Sequence, residues 1–183
     1  MKIGATPIAG VLLVDLNRRS DARGAFMRVF CEEELAQVLA GRHVVQSNYS
    51  CTEKVGTVRG MHFQHPPHAE MKLITCIRGA VWDVAVDLRA GSLTYLQWFA
   101  AELSSDRPRL LVIPEGCAHG FQTLQPDSEL LYYHTAPYTP VAEEGVRYDD
   151  PALGIPWPLP VSEVSQRDRA HPLIAPEFEG LKV

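Results

Sequence analysis

The feature that most constrains this chain is a run of short apolar, β-branched segments between Val44 and Tyr138, each closed by a turn signal. The segments are Val44–Ser50, Gly56–His62, Met71–Arg78, Ala80–Leu88, Leu93–Ala101, Leu110–Ile113, Gly120–Leu124 and Glu129–Thr135. Between them fall His65-Pro66-Pro67-His68, Arg78-Gly79, Ala90-Gly91-Ser92, Ser104-Ser105-Asp106 and Gln125-Pro126-Asp127. Many short strands at near-regular spacing, without crossover helices, predict an antiparallel sandwich or barrel rather than an α/β fold.

The flanks add little helix. Pro7 to Leu16 starts as a turn and becomes a strand, and Asn17 to Gly24 is read as a polar turn carrying Arg18, Arg19 and Arg23. Ala25 to Phe30 reads as a strand. Glu32 to Ala40 has helical spacing, with Leu35, Val38 and Leu39 on one face, acidic residues in the first turn and Gly41 as a stop. Asp149 to Pro160 is proline-rich and predicted to be irregular. Ser165-Gln166-Arg167-Asp168 has the form of a capping box opening a short helix. The 183 residues are expected to form a single domain, 1–183.

Charge and composition exclude some partners. A net charge of -5 argues against nucleic acid. No apolar run approaches the ~20 residues that span a bilayer, so no membrane segment is expected. The first five residues lack the apolar region of a signal peptide, and the four cysteines form no CxxC pair. Both point to a cytoplasmic chain with reduced thiols.

Two clusters could carry chemistry. Arg59-Gly60-Met61-His62-Phe63-Gln64 is followed by Lys72, and Pro114 to Phe121 holds His119 between small residues. His62 is a candidate base or a hydrogen-bonded core histidine. Lys72 opens an apolar strand, either to act there or to snorkel to water. His119 could line a ligand site or sit in a turn. Tyr132 and Tyr133, being adjacent, face opposite sides of a strand, and which one faces inward stays open. Arg23 and Arg59 each precede a glycine, which admits a ligand or another backbone closely, and arginine's planar fork suits phosphate. For a metal, His62, His65, His68, Glu70 and His119 offer ligands. Their His-x-x-His spacing, however, does not fit the i, i+2 geometry of a strand, so no metal is expected.

Together these motifs resemble the dTDP-4-dehydrorhamnose 3,5-epimerase family over about residues 3 to 172. The resemblance rests on Asp21 to Phe26, Gln46 to Ser50, Arg59 to Gln64, Lys72, Asp83 to Arg89, Ile113 to Phe121, Tyr132, Tyr138-Thr139-Pro140, Asp149-Asp150-Pro151, Trp157-Pro158 and Ser165 to Asp168. It implies a mainly β, cupin-like double-stranded β-helix (jelly roll) with a few short flanking helices, working without cofactor or metal as a homodimer. The implied substrate is a nucleotide-linked 4-keto-6-deoxyhexose, epimerised at C-3, C-5 or both. By that resemblance His62 is the base with Asp168 as its partner, and Tyr132 is the acid. Lys72 and His119 steady the enolate oxygen. Arg23, Gln46, Asn48, Arg59, Tyr138 and Arg167 bind ligand.

The chain also departs from the family pattern. Arg19 stands where an aromatic residue is usual and Arg28 where a glutamate is usual, both positions tied in the family to the thymine base. A different base, or a different mode of base binding, is the expectation. Ser47 replaces an aspartate, and Leu96 stands where glycine is common. A catalytically silent sugar-nucleotide-binding cupin and a metal-dependent cupin oxygenase are the alternatives. The intact acid and base argue against the silent protein.

Overall fold

The computed structural model describes all residues, Met1–Val183. In chain order the elements are β1 (Lys2–Ala5), β2 (Leu12–Asp15), β3 (Arg18–Asp21), β4 (Gly24–Met27), α1 (Ala36–Leu39), β5 (Gln46–Thr52), β6 (Thr57–Gln64), β7 (Lys72–Arg78) and β8 (Ala80–Asp87). Then follow β9 (Trp98–Ser104), β10 (Arg109–Ile113), β11 (Cys117–Thr123), β12 (Ser128–His134), β13 (Glu143–Gly145), β14 (Glu163–Val164) and α2 (Gln166–Ala170). One sheet has the order β1-β2-β10-β7-β12-β5; the other runs β13-β6-β11-β8-β9, with β14 added alongside β6. All pairings in the two sheets are antiparallel except β14 with β6 and the isolated bridge of Arg89 to Leu181. The expected jelly roll is what these strands build.

Alternation sorts each strand between layers. Ile74, Cys76, Leu111, Ile113 and Leu130 of the first sheet meet Val81, Ala85, Leu103, Cys117 and Phe121 of the second in the inter-sheet core. Their neighbours turn outward. Leu73, Leu110 and Val112 pack under Leu35, Val38 and Leu39, while Val84, Val86 and Ala118 pack under Val146, Leu153 and Leu181 of the C-terminal segment. Each large apolar side chain so removed from water contributes about 1.5–3 kcal/mol. Asp150, 2% exposed, holds the C-terminal segment by accepting the backbone N–H groups of Ala152 and Ile174.

Several expectations need correction. The polar turn at Asn17 to Gly24 is instead a strand, β3, that forms a separate hairpin with β4. The helix expected over Glu32 to Ala40 shrinks to Ala36–Leu39, with no acidic residue in its first turn. Glu34 is drawn away to the Met1 ammonium and Arg28, and Ala40 at φ 49° and Gly41 at φ 85° end the turn. No strand begins at Leu93. Asp87 accepts hydrogen bonds from Ser92 Oγ and Thr94 Oγ1 and folds that stretch into a turn, with Leu96 at φ 60°, so β9 starts at Trp98. Val84 is fully buried in the outer cluster under the C-terminal segment. Its neighbour Asp83 faces inward instead, toward His119.

Candidate active site

A cleft of about 260 Å³ opens between the two sheets. The second sheet contributes Arg59, His62 and His119; the first contributes Lys72, Tyr132 and His134, with Gln46 and Asn48 on its edge strand β5. Tyr138 and Glu143 close one end. Strict alternation would put Arg59 and His62 on opposite faces of β6. The ladder to β11 slips here: His119 pairs with His62 but Phe121 pairs with Arg59, so three steps on β6 oppose two on β11. This bulge turns both side chains into the cleft. Gly60 makes it feasible, because at φ 120° a Cβ there would lie 2.5 Å from Gly120 Cα. The close approach foreseen beside Arg59 is therefore to a backbone.

The base candidate is oriented from behind. His62 Nε2 lies 2.8 Å from Asp168 Oδ1, and Asp168 Oδ2 accepts the Gly60 N–H at 3.1 Å. Burial alone would raise Asp168, 4% exposed, but the hydrogen bond and charge of His62 with the Gly60 N–H bring it down to about 2. An ionised carboxylate only accepts, so His62 carries its proton on Nε2 and keeps the Nδ1 lone pair. The capping box is half formed. Ser165 Oγ accepts the Asp168 N–H, whereas the Asp168 carboxylate goes to His62 and Gly60. His171 packs edge-on to His62 at 5.8 Å between ring centroids; burial first, and then the nearby His62, push it toward the neutral form.

On the opposite wall Tyr132 points inward and Tyr133 outward, the latter stacking on Phe30. Burial raises the Tyr132 phenol well above its ordinary range, against the hydrogen bond with Ser50 Oγ at 3.2 Å, so it stays protonated at neutral pH. His119 sits in β11 rather than a turn, its Nε2 2.6 Å from Asp83 Oδ1. Complete burial pushes Asp83 up despite His119, and its Oδ2 has no hydrogen-bond partner. Lys72, 7% exposed, does not snorkel; its Nζ is 2.7 Å from Glu70 Oε1.

Not every expected residue converges. Arg167 meets Glu143 at 2.6 Å on the rim of an adjoining groove that also takes in Arg59, His62 and Asp168. Arg19, Arg23 and Arg28 lie outside the cleft: Arg23 is held by Asp21 and its side chain is 90% exposed, and Arg28 is paired with Glu34. His65 and His68 do not gather around His62 either, being bonded to Glu144 and Thr139. The one set with metal-ligand geometry is His62, Asp168 and His171, whose ligand atoms lie within 4.8 Å of one another. Ser50, Asp83, His134, Glu143 and His171 also line or back the site with no role expected from the sequence, in which Glu70 is a metal candidate only. His134 was legible, since it lies two residues after Tyr132 on a strand and must share its face.

Comparisons with known proteins identify relatives in sequence and in fold. Residues 5–176 match the family model of dTDP-4-dehydrorhamnose 3,5-epimerase. A dTDP-4-dehydrorhamnose 3,5-epimerase from Sinorhizobium fredii is 45% identical over 180 residues, covering 96% of this chain and 92% of that protein. The crystal structure of the Bacillus anthracis dTDP-4-dehydrorhamnose 3,5-epimerase, with TDP and PPi bound, superposes with a TM-score of 0.91 at 38% identity, covering 94% of this chain and 99% of that one. The dTDP-6-deoxy-D-glucose-3,5-epimerase of Legionella pneumophila in complex with dTDP-4-keto-L-rhamnose gives 0.89 at 35% identity, covering 94% and 92%. Matched over residues 5–176 and carrying His62, Tyr132 and Lys72 inward on the two walls of a jelly-roll cleft, this chain belongs to the dTDP-4-dehydrorhamnose 3,5-epimerase family.

Proposed function

We propose that the chain epimerises C-3, C-5 or both of a nucleotide-linked 4-keto-6-deoxyhexose without cofactor or metal. The observation that carries this reading is the placement of His62, backed by ionised Asp168, across the cleft from a protonated Tyr132. The ketone acidifies hydrogens on its neighbouring carbons. His62 Nδ1 takes one, and the electron pair moves into an enolate whose oxygen is steadied by Lys72 and His119. Tyr132 returns a proton to the opposite face, and solvent restores both groups. Electrostatic stabilisation of the enolate is the largest contribution expected. Arg59, in the cleft, and Arg167, on the adjoining groove, are placed to hold a pyrophosphate, with Gln46, Asn48 and Tyr138 beside the sugar.

A single domain acting as a homodimer in the cytoplasm fits this reading. The β3–β4 hairpin pairs with neither main sheet, and Phe26 on it is 76% exposed. An isolated two-stranded hairpin is only marginally stable, so packing against a second copy would hold it. Arg19, Arg23 and Arg28 then act from that hairpin, and Arg19 and Arg28 alter the choice of base. Arg28→Glu should shift the relative affinity for dTDP- and other nucleotide sugars; unchanged affinities would remove that assignment. The function itself is tested by incubating the protein with dTDP-4-keto-6-deoxyglucose and reading the sugar's configuration by NMR. Epimerised product that disappears in His62→Ala supports the reading, and no product with any nucleotide-linked ketosugar contradicts it.

A further inference from the structure

Behind Lys72 lies a polar chain, buried at Glu70 and His134, with no part in the proton transfers above. Glu70 and His134 are 9% and 6% exposed, and Glu70 Oε2 is 2.7 Å from His134 Nδ1 while its other oxygen holds Lys72. The chain continues through Asn48 and Gln46 to the backbone of Tyr138, and its direction follows from that end. The Tyr138 N–H can only donate, so Gln46 Oε1 accepts it at 2.9 Å. Gln46 Nε2 therefore donates to Asn48 Oδ1 at 3.2 Å, which leaves Asn48 Nδ2 facing His134 Nε2 at 3.4 Å. His134 Nε2 must accept, so its proton sits on Nδ1 and is donated to Glu70.

We propose that His134 is a positioning residue for Lys72. By occupying the far oxygen of Glu70 it divides that carboxylate between two donors. The Lys72 ammonium, with one N–H aimed at Glu70, then keeps its other two for an oxyanion in the cleft. Without His134 the whole carboxylate charge would draw Lys72 back. The ionisable groups around His134 are Glu70 and Lys72 beside it, and Tyr132 stacked on its own strand at 6.1 Å. From β5 only the neutral Asn48 and Gln46 reach it, and Arg59, His62, His119 and Glu143 face it across the cleft.

This inference rests on Lys72 facing the enolate, and the test separates the two. NMR of protein labelled with 15N-histidine should show His134 as the Nδ1–H tautomer at neutral pH. His134→Leu should lower kcat roughly tenfold with KM nearly unchanged, whereas His134→Asn, whose amide can still donate to Glu70, should recover most of it. Wild-type protein inactive on every ketosugar would overturn the reading of the site. An Nε2–H tautomer, or a His134→Asn kcat no better than that of a folded His134→Leu, would overturn the role of His134 alone, and the tautomer decides even if the Leu variant fails to fold.

Discussion

Replacing Asp168 with asparagine puts the site's central pair under the most direct strain. The carboxylate has two acceptor oxygens, one on His62 Nε2 and one on the Gly60 N–H. The amide has one oxygen. If it faces Gly60, Nδ2 faces His62, whose proton must move to Nδ1 and cover the lone pair that, in the proposed mechanism, takes the substrate's hydrogen. If the amide turns the other way, two buried donors oppose each other at Gly60, at a cost of about 1–3 kcal/mol. The inactive orientation therefore dominates. In the active minority the imidazolium formed during the reaction also loses a charge-assisted hydrogen bond, about 1.5–3 kcal/mol. Together these amount to roughly 3–6 kcal/mol, or ~10²- to 10⁴-fold in kcat. KM should change little, because Asp168 acts through His62. The rate is read by mass spectrometry of deuterium entering the substrate in single turnovers. A cooperatively folded Asp168→Asn protein within about tenfold of wild-type kcat would refute the tautomer argument.

Other outcomes follow from the same geometry. Tyr132→Phe should cut epimerised product by about 10²- to 10⁴-fold while His62 still exchanges hydrogen without inverting the carbon, a ratio NMR of the product reads directly. Asp168 is depressed in the folded state, from its ordinary 3.8 to about 2. Its contribution is therefore present above about pH 4 and lost as the pH falls toward 2. The shift corresponds to at most about 2.5 kcal/mol, nearer 1 once solvent reaching the partly exposed His62 is allowed for. Urea titrations at about pH 5 and pH 3 should show the advantage over Asp168→Asn shrinking. Val84→Asp would bury an unpaired charge among Met61, Val86 and Leu88, costing about 3–5 kcal/mol of a total stability of about 5–15. Little soluble protein should result, and a cooperative melt near the wild-type midpoint would contradict the packing.

The strands were legible because period-two alternation and turn residues are local signals. The jelly roll and the inward-facing His62, Lys72, His119 and Tyr132 follow from them and from the family motifs. What stayed hidden depends on contacts across the fold. Gly60 permits a close backbone, but its presence does not say that β6 and β11 slip by one residue, which lets both Arg59 and His62 face the cleft. Leu93 to Gln97 looked like a strand because its composition is apolar, and Asp87 outcompeted it through side-chain hydrogen bonds. The acidic start of the expected helix served ion pairs instead. Glu70 and His134 are 64 residues apart, and only the adjacency of β7 and β12 makes them a pair.

The central claim is that His62 removes a hydrogen next to a ketone. It is tested most directly by incubating the protein with dTDP-4-keto-6-deoxyglucose in D2O and following C-3 and C-5 by NMR. Deuterium at one or both carbons, absent with His62→Ala, is the predicted result and also shows which positions are epimerised. Undiminished exchange in His62→Ala would contradict the assignment of the base. No exchange in the wild type, there or with UDP-, GDP- and CDP-linked ketosugars, would make the cleft a binding site rather than a catalytic one.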